Sequence, residues 1–148
     1  MQLFGSDVGG GHAAPGAARQ TPDTARDTCA RTRSPYSANC WFYAPTVWLA
    51  EHPDDFAGAM GWCAAAGGAS GGPLCARGVG SRTIKYHPDD PTVGAAVCAA
   101  AGTLEDPCLG GMGSYWSVHH KGRVPPSDVC RHLGSATLEA RCLVATRR

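Results

Sequence analysis

Apolar and polar positions do not alternate along this chain in the two-residue period of a half-buried strand, and no segment joins such a period to β-branched enrichment. Apolar residues gather instead in short helical stretches that recur. Cys63-Ala-Ala-Ala-Gly67 returns as Cys98-Ala-Ala-Ala-Gly102, and His52-Pro53-Asp54-Asp55 returns as His87-Pro88-Asp89-Asp90, each 35 positions later. Cys40 to Cys63, Cys75 to Cys98 and Cys108 to Cys130 span 23, 23 and 22 positions. Cys29, Cys63, Cys98 and Cys130 each have a second cysteine 10–12 positions on. A period of 32–35 residues repeated about four times is the pattern of a stacked helical array. The expected fold is all-α: about four stacked helix pairs over residues 21–148, preceded by a flexible Gly/Ala-rich leader over 1–20.

Each unit parses into two helices. The first opens on a Thr or Asp whose side-chain oxygen can accept a free backbone N–H of the first turn, followed in two units by Pro, which has no N–H to leave unpaired. Thr21-Pro22 and Asp90-Pro91 show both features, and Asp55 before Phe56 takes the same place in the second unit. The first helix then runs through its cysteine and stops at Gly67, Gly102 or Gly134, where glycine can adopt a left-handed cap. Ser34-Pro35 and Asp106-Pro107 repeat the cap-plus-Pro signal before the second helices. Pro45, inside the second helix of the first unit, predicts a kink there.

In this layout a cysteine near the end of one helix faces another near the start of the next. Four local bridges are expected: Cys29–Cys40, Cys63–Cys75, Cys98–Cys108 and Cys130–Cys142. Each closes a short loop, worth roughly 3 kcal/mol in the chain-entropy account. An even count of eight cysteines, with no closely spaced metal-ligand pair, points to disulfides and so to a secreted or periplasmic setting. Residues 1–20 show neither the basic n-region nor the apolar h-region of a secretory leader, so a mature start or another export route is expected. No apolar run approaches the ~18–20 residues of a membrane span. A net charge of +1, from 13 basic and 12 acidic residues, lacks the basic excess of a nucleic-acid or acidic-membrane binder.

Candidate chemistry is sparse. Twelve residues after Cys40, Cys75 and Cys108 stand His52, His87 and His120, with His119 beside the last. Imidazole suits a helix C-terminus, where it meets free carbonyls and the negative end of the dipole. The functional alternative is a small-molecule or metal site made from these histidines with Asp54, Asp55, Asp89 or Asp90. Histidines one helix pair apart, near 10 Å, are too far to share a metal bound at ~2 Å. Three and five residues after the same cysteines stand Tyr43 and Pro45, Gly78 and Gly80, and Gly111 and Gly113. The glycines permit close helix approach. The aromatics Tyr36, Trp41, Phe42, Tyr43 and Trp48, with Tyr115 and Trp116, are expected to build core and to leave part of a face for a protein partner. No nucleophile elbow, zinc helix, redox Cys pair or phosphate loop is present. A non-enzymatic module with no cofactor is expected.

The segments Cys75-Ala-Arg-Gly-Val-Gly-Ser81 and Cys108-Leu-Gly-Gly-Met-Gly-Ser114, each followed by another cysteine about 22 residues on, resemble exported bacterial cysteine-rich helical repeat proteins. More broadly, residues 21–148 look like tetratricopeptide-like repeats whose helix pairs are bridged by disulfides. The resemblance implies a role in protein interaction, as a structural module or a subunit of a larger assembly.

Overall fold

The computed structural model describes residues 19–147. Most of the expected leader, residues 1–18, lies outside the described residues. Every regular element among the described residues is helical: α1 Pro22–Arg31, α2 Tyr36–Tyr43, α3 Pro45–Glu51, α4 Phe56–Tyr86, α5 Thr92–Ala99, α6 Glu105–His119 and α7 Ala136–Ala145, with 3-10 turns at Gly102–Leu104 and Pro126–His132.

Local chemistry explains most boundaries. Thr21 and Thr24 form a reciprocal capping box at the start of α1, with Pro22 at its first position. Asp55 caps α4 by accepting the Gly58 N–H at 2.9 Å. Ser135 caps α7 by accepting the Leu138 N–H at 3.2 Å. Pro45 ends α2 and begins α3, because it has no N–H to continue the ladder. The Thr46 hydroxyl donates to the Tyr43 carbonyl at 2.6 Å across this break.

Several boundaries differ from expectation, and Ser34 does not cap α2, whose N-cap is Pro35 without a side-chain bond. The turn inside α4 falls at Gly68 rather than Gly67. Gly68 alone departs from helical geometry, at φ 62 and ψ −158, and joins a first arm, 56–67, to a second, 69–86, with no intervening loop. Asp106 and Pro107 lie within the first turn of α6 instead of capping it. The Gly102–Leu104 turn runs directly into Glu105 and moves the start forward. The last cysteine pair begins on a 3-10 turn, Pro126–His132, where an α-helix was expected.

The four bridges are those the layout predicts, and no cysteine is free. Their Cα atoms lie 5.4–5.5 Å apart. All eight cysteines are buried and belong to one continuous core with Trp41, Phe56, Ile84, Leu109, Met112 and Val129. The second arm of α4 runs through the middle of this core, packed on α2 at one side and α6 at the other.

Two helix crossings share one close approach. Gly78, three residues after Cys75, lies against the carbonyl of Phe42, two residues after Cys40. Gly111, three after Cys108, lies against the carbonyl of Arg77, two after Cys75. At the next crossing Gly110, two after Cys108, faces the carbonyl of Ala145, three after Cys142, with its Cβ position 3.7 Å away. At the first two crossings the backbones are so close that any side chain on the glycine would overlap the facing carbonyl. A chain this rich in glycine therefore uses several of its glycines to bring helices together, and its bridges offset the cost of glycine in helices.

Candidate functional site

The residues singled out in the sequence fall into three groups. The first is core. Trp41 is 6% exposed and lies under Gly71, whose Cβ position is 2.6 Å from the indole. Its ring is 6.5 Å from Trp62, which also stacks on Trp48 at 6.4 Å.

The second group is the histidines at helix ends. His52, His87 and His120 are the C-cap residues of α3, α4 and α6, and His119 is the last residue of α6. Each C-cap N–H reaches back four residues, to Trp48, Thr83 and Trp116. Their rings turn to side chains. His52 stacks on Trp48 at 4.6 Å, and His120 meets Trp116 edge-on at 4.4 Å. In both units the same tryptophan donates its indole N–H to an aspartate further along the chain: Trp48 to Asp55 at 3.3 Å, Trp116 to Asp128 at 2.9 Å. His87 hydrogen-bonds Asp54 at 2.9 Å and packs edge-on against Phe56. The structure thus brings His87 and Asp54 together. Asp90 turns to Thr92, accepting its hydroxyl and, at 3.3 Å, its N–H. Among the described residues no three His, Cys, Asp or Glu side chains converge as a metal site requires.

Around Trp116 the aromatic–histidine contact extends to His132, 5.0 Å away. Asp128 also pairs with Arg131 and lies 3.7 Å from His132 Nε2. The Trp116 N–H, and then Arg131, hold the Asp128 carboxyl below the usual carboxylate range, against an opposing contribution from burial.

The third group is the one the sequence left incomplete. Arg82, on the second arm of α4, lies against Tyr43 of α2 and within electrostatic reach of Tyr115 of α6. Arg82 is only 5% exposed. Its guanidinium carbon stands 5.1 Å from the ring centre of Phe42 and 5.1 Å from that of Tyr43. Tyr86, one turn further along the helix, and Tyr115 lie within electrostatic reach of the guanidinium. Among the described residues Arg82 takes part in none of the ion pairs, and its Nε is buried with no hydrogen-bond partner. Burial pushes its pKa below the ordinary arginine value; the nearby phenols of Tyr86, Tyr43 and Tyr115 oppose this in smaller measure. Its neighbour Arg77 differs, donating to Ser114 Oγ at 2.7 Å. Tyr43 and Tyr86 are 48% and 47% exposed, so the enclosure opens to solvent through two tyrosine rings. Tyr36, the remaining candidate, is exposed at the start of α2.

On another part of the surface an open apolar groove of about 420 Å³ runs between the first arm of α4 and α5, lined by Met60, Ala64, Ala96, Val97 and Leu104 among others. No helix among the described residues is long and apolar enough to cross a membrane. No known protein family matches the chain, and neither a curated protein nor a solved structure is significantly similar to it.

Proposed function

We propose that this chain is a non-enzymatic protein-interaction module, secreted or periplasmic, built from four disulfide-stapled units, three of them helix pairs and the fourth a 3-10 turn bridged to a helix, and serving as a subunit of a larger assembly. The observation that carries the reading is Arg82, almost fully buried, with its guanidinium against the exposed ring of Tyr43 and with exposed Tyr86 one turn along the same helix. Tyrosine and arginine are the residues that most often anchor protein interfaces. A tyrosine offers a large ring at low entropic cost, and a desolvated guanidinium binds more strongly than a hydrated one.

Other observations support the remaining parts. The recurrence of the same glycine-to-carbonyl contact at successive crossings favours a repeated unit. Four buried bridges fit an oxidising compartment. The metal or small-molecule alternative on the helix-end histidines has less support, because among the described residues no three His, Cys, Asp or Glu side chains converge.

Site-specific photo-cross-linking in the native host tests the reading. A benzoylphenylalanine placed at Tyr43 or Tyr86 is expected to give a discrete protein adduct, and one at exposed Val144 on α7 to give none. Equal labelling from all three positions, or none from any, would remove it.

A further inference from the structure

A buried cation without a counter-charge is costly. A protein keeps such a group only when something offsets the penalty. Two aromatic rings at 5.1 Å offset part of it for Arg82. A ring face supplies no lone-pair acceptor for the guanidinium N–H donors. Nε is buried and has no partner among the described residues. What is missing is a planar acceptor that can take two parallel N–H bonds at the guanidinium edge, and a carboxylate has that geometry.

Charge count narrows the class. Among the described residues Arg82 is the cation set against the Phe42 and Tyr43 rings. Lys85 holds its Nζ 5.9 Å over the Tyr86 ring, and Arg77 is engaged with Ser114. One desolvated positive charge balances a monoanion, whereas a phosphate dianion would carry a second charge into an aromatic surround.

Resting on the interaction reading above, we infer that Arg82, framed by Phe42, Tyr43, Tyr86 and Tyr115, receives a glutamate or aspartate side chain presented by an acidic peptide segment of the partner protein. The exposed tyrosine rings take the apolar flanks of that segment, and the guanidinium takes its carboxylate.

The test follows the Arg82 Nε–H resonance of the full chain in ¹H–¹⁵N spectra at fixed ionic strength. Four probes are titrated: the blocked peptide acetyl-Leu-Glu-Leu-amide, its glutamine counterpart, benzoate and inorganic phosphate. The glutamate peptide is expected to shift the Arg82 signal and bind at least about tenfold tighter than each of the other three, a difference of ~1.4 kcal/mol. Arg82→Lys, which keeps the charge and loses the fork, is expected to weaken the peptide about tenfold, and Arg82→Met to abolish the response. Equal binding of the glutamate and glutamine peptides, or no shift with any probe, overturns the assignment. Phosphate or benzoate binding as tightly as the peptide also overturns it, in favour of a small-anion site. The cross-linking from Tyr43 separates the two readings. An adduct that persists in Arg82→Met keeps the interaction module and removes the carboxylate; loss of the adduct in that variant supports both.

Discussion

Gly111 lies against the carbonyl oxygen of Arg77 so closely that the two helices touch backbone to backbone, and Gly78 stands in the same relation to Phe42. Neither glycine can gain a methyl group unless α4 moves away from α6 or from α2. Gly111→Ala and Gly78→Ala are expected to destabilise the fold by about 1–3 kcal/mol, or to prevent folding, as overpacking does in tight cores. Gly61 is the control: it lies on the exposed side of the first arm of α4 with nothing within 4 Å of its Cβ position. Gly61→Ala is expected to stabilise by about 0.4–1 kcal/mol through the unfolded chain. Chemical denaturation of the three variants checks both directions.

The Trp116–Asp128 contact predicts a pH dependence. The Asp128 carboxyl is 13% exposed and is held below its ordinary range first by the Trp116 N–H. A folded-state pKa below the unfolded value of about 3.9 gives stability that is present above pH 4 and is lost as pH falls through the folded value. Asp128→Ala should therefore lower Tm at pH 7, and its difference from the parent should shrink as the pH is taken toward 2. A difference that stays constant across that range would show that Asp128 acts without its charge.

The bridges predict resistance to reduction. Cys63, Cys75, Cys98 and Cys108 have no exposed surface, so reductants reach their sulfurs only when the chain opens. Thiol trapping of the native protein under mild reductant should label none of these four, and labelling should follow the unfolding transition. Replacing both Cys98 and Cys108 by Ala should cost about 2–5 kcal/mol. Intact mass should fall by eight hydrogens on oxidation of the reduced chain, since all eight cysteines pair.

Arg82 predicts an inversion of the usual core behaviour. Removing a buried uncompensated charge is expected to relieve strain in the free protein, and replacement of buried ions by apolar groups of similar volume is often neutral or stabilising. Arg82→Met should leave Tm unchanged or raise it while removing carboxylate binding. A large loss of stability would instead show that the two ring contacts outweigh the buried charge.

Much of this molecule was legible in the order of its residues. The bridges follow from spacing, because cysteines 10–12 positions apart on either side of a turn have few other neighbours within reach. Thr21 and Asp55 each accept a backbone N–H three residues on, and Pro45 breaks a ladder that runs through its own nitrogen. The helix-end positions of His52, His87 and His120 are set by the same short-range geometry. These are local effects, so the sequence by itself determined them. Tertiary structure decided how the helices cross and what then meets at the crossings. In sequence Arg82 is a lone charge in a glycine-rich helix. It becomes buried because Gly78 lets α4 close on α2 and brings Phe42 and Tyr43 over its guanidinium, while Gly80 and Gly111 draw in α6 with Tyr115. The enclosure needs three helices from three disulfide units, and residues that far apart meet only after the packing has chosen a register.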